Sequence, residues 1–95
     1  MPMEIFNVND VVSIMINYGD YSHVREGVIV EIKESRYLVE YIFWGPYDED
    51  PQKYQQWCTS SELTLVKDKD KINTILEEHN TFTGKCNYDD YDNQL

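Results

Sequence analysis

The stretch that most restricts the fold runs from Gly27 to Tyr41. Val28, Val30 and Ile32 alternate with Ile29, Glu31 and Lys33. After Glu34 and Ser35, the residues Tyr37, Val39 and Tyr41 alternate with Leu38 and Glu40. Successive side chains on a strand point to opposite faces, so each run predicts a strand with one face toward a core. Glu34 and Ser35 are the tight turn of a β-hairpin. Val12, Ile14, Val28, Val30, Ile32, Val39 and Tyr41 are expected to share one core.

The flanking segments fit around this hairpin. Ile5 and Phe6 can cover one end of a small β fold. Asp10 to Asn17 reads as the first strand, with Val12, Ile14 and Ile16 inward and Ser13 on the other face. Tyr18 to Glu26 reads as a polar, aromatic loop broken by Gly19, and Gly27 opens the second strand. The third strand runs on through Ile42, Phe43 and Trp44 until Gly45 and Pro46 end it, because proline offers no ladder donor. Tyr47 to Lys53 is an acidic loop tip. Tyr54 to Thr59 is a fourth strand, with Trp57 expected inward for its large area. Ser60 to Leu63 is a one-turn connector, and Leu63 to Val66 a short closing strand.

Beyond Val66 the composition changes. Lys67 to Lys71 is charged and has no apolar residue. Asp70 is a suitable cap for a short helix whose Ile72, Ile75, Leu76 and His79 recur at helical spacing. Glu77 and Glu78 fall late in it, against the macrodipole. Such a short helix needs the β domain to pack on. From Thr81 onward there is no periodicity, only Phe82, Gly84, Tyr88, Tyr91 and the acids Asp89, Asp90 and Asp92. The expected organisation is residues 1–66 as a β domain, 67–80 as linker and short helix, and 81–95 as a flexible acidic, aromatic tail.

Several function classes are disfavoured. Ninety-five residues make one small domain. No apolar run approaches the roughly 18 residues of a membrane span. The N-terminal residues lack the basic region and apolar run of a secretory leader, so a cytoplasmic, reducing setting is expected. Cys58 and Cys86 are then free thiols, with a bridge between them as the alternative. The chain has 18 acidic and 8 basic residues, a formal net charge of -10. Direct binding of nucleic acid normally needs a basic surface, whereas an acidic one favours basic partners.

Five short strands, a long loop after the first, a glycine opening the second, Tyr37-Leu-Val-Glu-Tyr41 on the third, Trp57 on the fourth and Ser61-Glu-Leu63 in the connector resemble a small SH3-like barrel of the Tudor-like group. The resemblance covers about residues 10–66. It implies an all-β, five-stranded SH3-like barrel, here followed by a short C-terminal helix and the acidic tail. Tudor-like domains can cage a methylated lysine or arginine with aromatics from the loops after the first and third strands. The resemblance therefore implies Tyr18, Tyr21, Phe43, Trp44, Tyr47 and Tyr54 as cage candidates, with Asp48 or Asp20 nearby and a core place for Phe43 as the alternative. The acidic insert from Tyr47 to Lys53 departs from the pattern and prevents a one-to-one placement of cage positions.

No catalytic or metal constellation stands out. His23 and His79 have neither ligand nor triad spacing, and Cys58 sits in a strand where it reads as a small core residue. Asp68 and Asp70 begin like a calcium loop, but Ile72 and Asn73 stand where an acid and a glycine are needed. No enzyme activity and no cofactor are expected. The chain does carry 8 tyrosines and 2 tryptophans beside many carboxylates. Such side chains suit interfaces, and carboxylates can imitate the phosphates that a basic groove expects. The expected function is a non-enzymatic, acidic protein-binding module, of the kind that viruses use as DNA mimics. It would occupy the basic nucleic-acid-binding surface of a nuclease, restriction or other defence protein, or regulator. The expected partner-binding residues are Tyr18, Tyr21, Trp44, Tyr47, Asp48, Glu49, Asp50 and Tyr54. The alternatives are a Tudor-like reader of basic or methylated peptides and a structural or assembly subunit.

Overall fold

A computed structural model describes residues 6–18, 20–45 and 49–87. The strands are β1 (Val11–Tyr18), β2 (Tyr21–Lys33), β3 (Arg36–Phe43), β4 (Gln52–Thr59), β5 (Thr64–Leu65) and β6 (Cys86–Asn87). One helix, α1 (Lys69–Thr81), lies between β5 and β6, and a 3-10 turn spans Ser60–Glu62. All strands join a single six-stranded sheet in the order β5-β1-β2-β3-β4-β6. The β-rich expectation holds, but the expected five-stranded barrel is not what the described residues form. The sheet has a sixth strand, and its edges, β5 on β1 and β6 on β4, are not paired with each other. No helix among the described residues is long and apolar enough to cross a membrane.

The main core occupies one face of the sheet. It contains Val12, Ile14 and Ile16 of β1, Ile29 of β2, Val39, Tyr41 and Phe43 of β3, and Cys58 of β4. Phe6 and Leu63 complete it, with Tyr37 and Tyr54 packed alongside. Among the described residues only Phe6 and Leu63 come from outside the strands, so the sheet must curl for its own strands to cover one another. Cys58 is buried as expected, and burial pushes its thiol pKa up, which leaves it a poor nucleophile. Cys58 and Cys86 are both free, so the bridge does not form.

Gly27 allows the curl at the centre. It pairs with Val12 on one side and Tyr41 on the other. A Cβ there would stand 2.6 Å from both the Glu40 carbonyl oxygen and Val39 Cγ1. Only glycine permits that approach between β2 and β3.

The opposite face has a smaller core of its own. Val11 and Val28 are cross-strand partners, and α1 covers them with Ile75, flanked by Ile72 and Leu76. The spacing of these residues is the helical stripe expected from the sequence. The N-cap, however, is Asp68 rather than Asp70. Its Oδ1 accepts from the amides of Asp70 (3.0 Å) and Lys71 (3.4 Å), so the helix begins directly after this cap, at Lys69, earlier than an Asp70 cap implies.

Four further expectations are corrected. Val28, Val30 and Ile32 do not share the main core. Val28 faces the helix, Val30 is half-buried, Ile32 is exposed, and Ile29 is fully buried instead. A β-bulge at Val30 shifts the register between Ile29 and Glu31, which resets the alternation midway along β2. Second, Tyr21 to Glu26 is not loop. It extends β2, paired with β1 as far as Tyr18 and Tyr21, because Asn17 to Ile14 offer a ladder edge to pair with. Third, Trp57 lies opposite Leu38 on the helix side, half-buried, with the Arg36 guanidinium 5.7 Å from its ring, while Cys58 takes the inward place. Fourth, the segment after α1 is not structureless. Cys86 and Asn87 pair in parallel with Lys53 and Tyr54. Residues 88–95 lie outside the described residues.

Candidate functional site

Of the expected binding residues, the structure describes the side chains of Trp44, Glu49, Asp50 and Tyr54. Tyr18 and Tyr21 are Cα partners at the end of the β1–β2 ladder, and their side chains lie outside the described structure. Tyr47 and Asp48 also lie outside the described residues. Trp44 directly follows β3 and is exposed. Tyr54 goes to the core side, with its ring stacked 5.8 Å from Tyr41 and edge-on 6.4 Å from Phe43. The Arg25 guanidinium stands 5.1 Å from the Phe43 ring centroid, so this aromatic group already holds a cation from the chain itself. Glu49 and Asp50 are exposed just ahead of β4.

Asp50 helps to line a groove of about 670 Å³ where the start of β4 meets the end of α1. Ile42, Pro51 and Phe82 give it an apolar floor, Asp50 and Glu78 bring carboxylates, and Thr81, Thr83 and Gly84 complete the wall. Gly84 lets the chain pass close to Phe82. A Cβ there would lie 2.7 Å from Phe82 Cζ and 3.2 Å from the Pro51 carbonyl oxygen. The groove also opens at the C-terminal end of α1, where the helix dipole favours cations. Its chemistry suits a positively charged side chain with an apolar stem.

A buried ionic cluster fixes this geometry. Lys53 is the one buried charged residue among those described. Its Nζ donates to Glu40 Oε1 (3.1 Å) and to the His79 carbonyl oxygen (3.1 Å), and lies 5.2 Å from the Phe82 ring. The His79 ring Nδ1 lies 3.4 Å from the same Glu40 oxygen, and Gln55 Nε2 donates to Glu40 Oε2 at 3.1 Å. Lys53 thereby ties the helix end to the sheet by completing a C-terminal carbonyl. Burial alone raises the Glu40 pKa, but hydrogen bonds from Gln55, Lys53 and His79 outweigh it and hold the carboxyl below its ordinary value. Burial lowers the His79 pKa, and the adjacent Glu40 only partly offsets it.

Sequence reasoning missed Glu78, Phe82 and the whole cluster. Lys53 reads as part of an acidic loop tip and Glu40 as an outward strand residue. His79 alone gave a signal, because it falls on the helix stripe with Ile72, Ile75 and Leu76. On the far side of β4, the Lys53 amide donates to the Lys85 carbonyl oxygen, and Asn87 Nδ2 donates to Gln52 Oε1 at 2.8 Å. These contacts hold the segment after α1 against the groove.

No protein-family model, curated protein or solved structure matches this chain.

Proposed function

We propose that this chain is a non-enzymatic, acidic protein-binding module of the SH3-like, Tudor-like type that engages the basic, nucleic-acid-binding surface of another protein and inhibits it by occupancy. The fold part of this reading is supported by the order β5-β1-β2-β3-β4, in which β5 pairs back onto β1, as in the connectivity of the resemblance. The functional part draws on the formal charge of -10. The observation that carries it is the groove at the end of α1. Asp50, Glu78 and the helix C-terminus surround an apolar floor there, and Lys53, whose ammonium lies 5.2 Å from the Phe82 ring, is already committed to Glu40.

The test is capture with the purified full chain, followed by competition. A basic, nucleic-acid-binding protein should be retained, released as salt rises, and displaced by duplex DNA. Changing Asp48→Asn, Glu49→Gln and Asp50→Asn together should slow association and flatten the salt dependence without shifting the melting temperature. A captured protein that holds DNA and this chain at the same time would overturn the occupancy mechanism.

A second reading, a Tudor-like reader of basic or methylated peptides, is favoured by the Arg25–Phe43 contact, which shows that the aromatic group accepts a guanidinium. Under it, a trimethyllysine peptide would displace Arg25 and shift the ring resonances of Phe43 and Tyr54.

A further inference from the structure

The helix covers only part of its side of the sheet. On β1 and β2 this face presents the cross-strand pairs Val11–Val28, Ser13–Glu26 and Met15–Val24. Val11 and Val28 are buried beneath α1, and Glu26 reaches Lys71 of the helix at 3.5 Å. One step further along, α1 no longer covers the strands. Met15 is 51% exposed and Val24 54% exposed. Trp44, at the end of β3, is 62% exposed. Ile42 lies on this same face, across from Lys53, and forms part of the groove floor. Apolar residues clustered like this beyond the edge of a helix mark an interaction surface more often than chance.

The chemistry at the rim selects the occupant. Asp50 and Glu78 both line the groove at one end of this face. A second copy of this chain would bring the same net charge of -10 and the same carboxylates. The chain's own last residues carry Asp89, Asp90 and Asp92, which would place like charges beside Asp50 and Glu78. A cationic, amphipathic partner meets neither penalty.

We propose that this face docks an amphipathic, lysine- or arginine-bearing segment of a partner protein. Its apolar side lies on Met15, Val24 and Trp44, and a cationic side chain enters the groove beside Asp50 and Glu78. The inference rests on the reading of the chain as a binder of basic proteins, and it names the part of such a protein that is recognised. Apolar anchors provide most of the holding energy, while the carboxylates choose the sign of the charge and speed the encounter.

The experiment titrates the full-length, isotope-labelled chain with a Leu/Lys amphipathic helical peptide and, separately, with its Leu/Glu counterpart. Amide shifts should cluster at Met15, Val24, Ile42 and the end of α1 for the lysine peptide alone. Met15→Thr with Val24→Thr keeps β-forming side chains at both exposed positions. It should weaken binding about tenfold, the loss typical of a central apolar anchor, at unchanged melting temperature. Asp50→Asn with Glu78→Gln should weaken binding less and remove most of its salt dependence.

Equal binding of the Leu/Glu peptide would overturn the proposal, as would no binding of either peptide. Shifts confined to Glu49 and Asp50, unaffected by the threonine variant, would overturn the docking face and leave the charge-based function standing. That function fails separately, through the DNA competition. Self-association that the threonine variant abolishes would assign the face to a second copy and likewise refute the proposal.

Discussion

Replacing Lys53 by methionine tests whether the ionic cluster holds α1 to the sheet. Lys53→Met keeps a stem of similar length to pack beside Phe82 and removes the charge. It leaves Glu40, whose side chain is only 13% exposed, without the ammonium 3.1 Å away, and leaves the His79 carbonyl oxygen without its donor. Breaking a fully buried ion pair costs about 3–5 kcal/mol because one charge is stranded. The loss here is smaller. Gln55 and His79 still contact Glu40, and both Lys53 and Glu40 keep slight solvent access. A cost of about 2–3 kcal/mol follows. In a domain of this size that lowers the melting temperature by about 8–24 °C. Thermal melts followed by circular dichroism measure it. Adding Glu40→Gln should recover part of the loss, with a coupling energy of about 1–3 kcal/mol in a double-mutant cycle. Hydrogen exchange should also quicken at the last turn of α1 in Lys53→Met, before the strands are affected. A melting temperature within about 2 °C of the parent, or zero coupling with Glu40, would refute the reasoning.

The same cluster makes stability depend on pH. Glu40 and His79 both have folded pKa values below their ordinary ones, so the unfolded chain takes up more protons as acid is added. Stability should be fully present above 6.5 and fall first through the His79 range below that value, then through the Glu40 range below 4.5. His79→Gln should flatten the first of these falls in urea melts, and an unchanged profile would contradict it. Ile29→Ala should cost about 2–5 kcal/mol, while Val30→Ala in the bulge should cost under about 1. The reverse order in denaturation midpoints would mean that the β2 register is wrong. Glu34 and Ser35 turn the β2–β3 hairpin with φ of 50° and 66°, a conformation that asparagine and glycine adopt at lower cost. Glu34→Asn with Ser35→Gly should therefore raise stability by about 1 kcal/mol, and a fall in the urea midpoint would count against the turn geometry.

What the sequence determined on its own was local. Strict alternation in Val12, Ile14 and Ile16 and in Tyr37, Val39 and Tyr41 placed β1 and β3 with the correct faces inward. Helical spacing of Ile72, Ile75 and Leu76 placed α1 and its buried stripe. The connector at Ser60 and the buried thiol of Cys58 were also legible, because each depends on neighbours a few residues away. Of the candidate site, the sequence supplied Asp50, Trp44 and the strongly acidic charge balance.

Only the tertiary structure decided which face of β2 is inside. Val28, Ile29 and Val30 are all apolar, so pattern alone cannot choose between two cores on opposite sides of one strand. The helix covers Val28, the curled sheet covers Ile29, and the bulge at Val30 resets the alternation between them. The same holds for the groove. Ile42, Asp50, Glu78 and Phe82 are brought together, and Glu40, Lys53 and His79 meet beneath them, only because α1 crosses the sheet and its C-terminal end stops over β3 and β4. A contact between residues 39 apart, such as Glu40 with His79, has no signature in local periodicity. It exists because α1 lies where Ile75 buries Val11 and Val28, and its polar C-terminal end must then find partners on the strands beneath it.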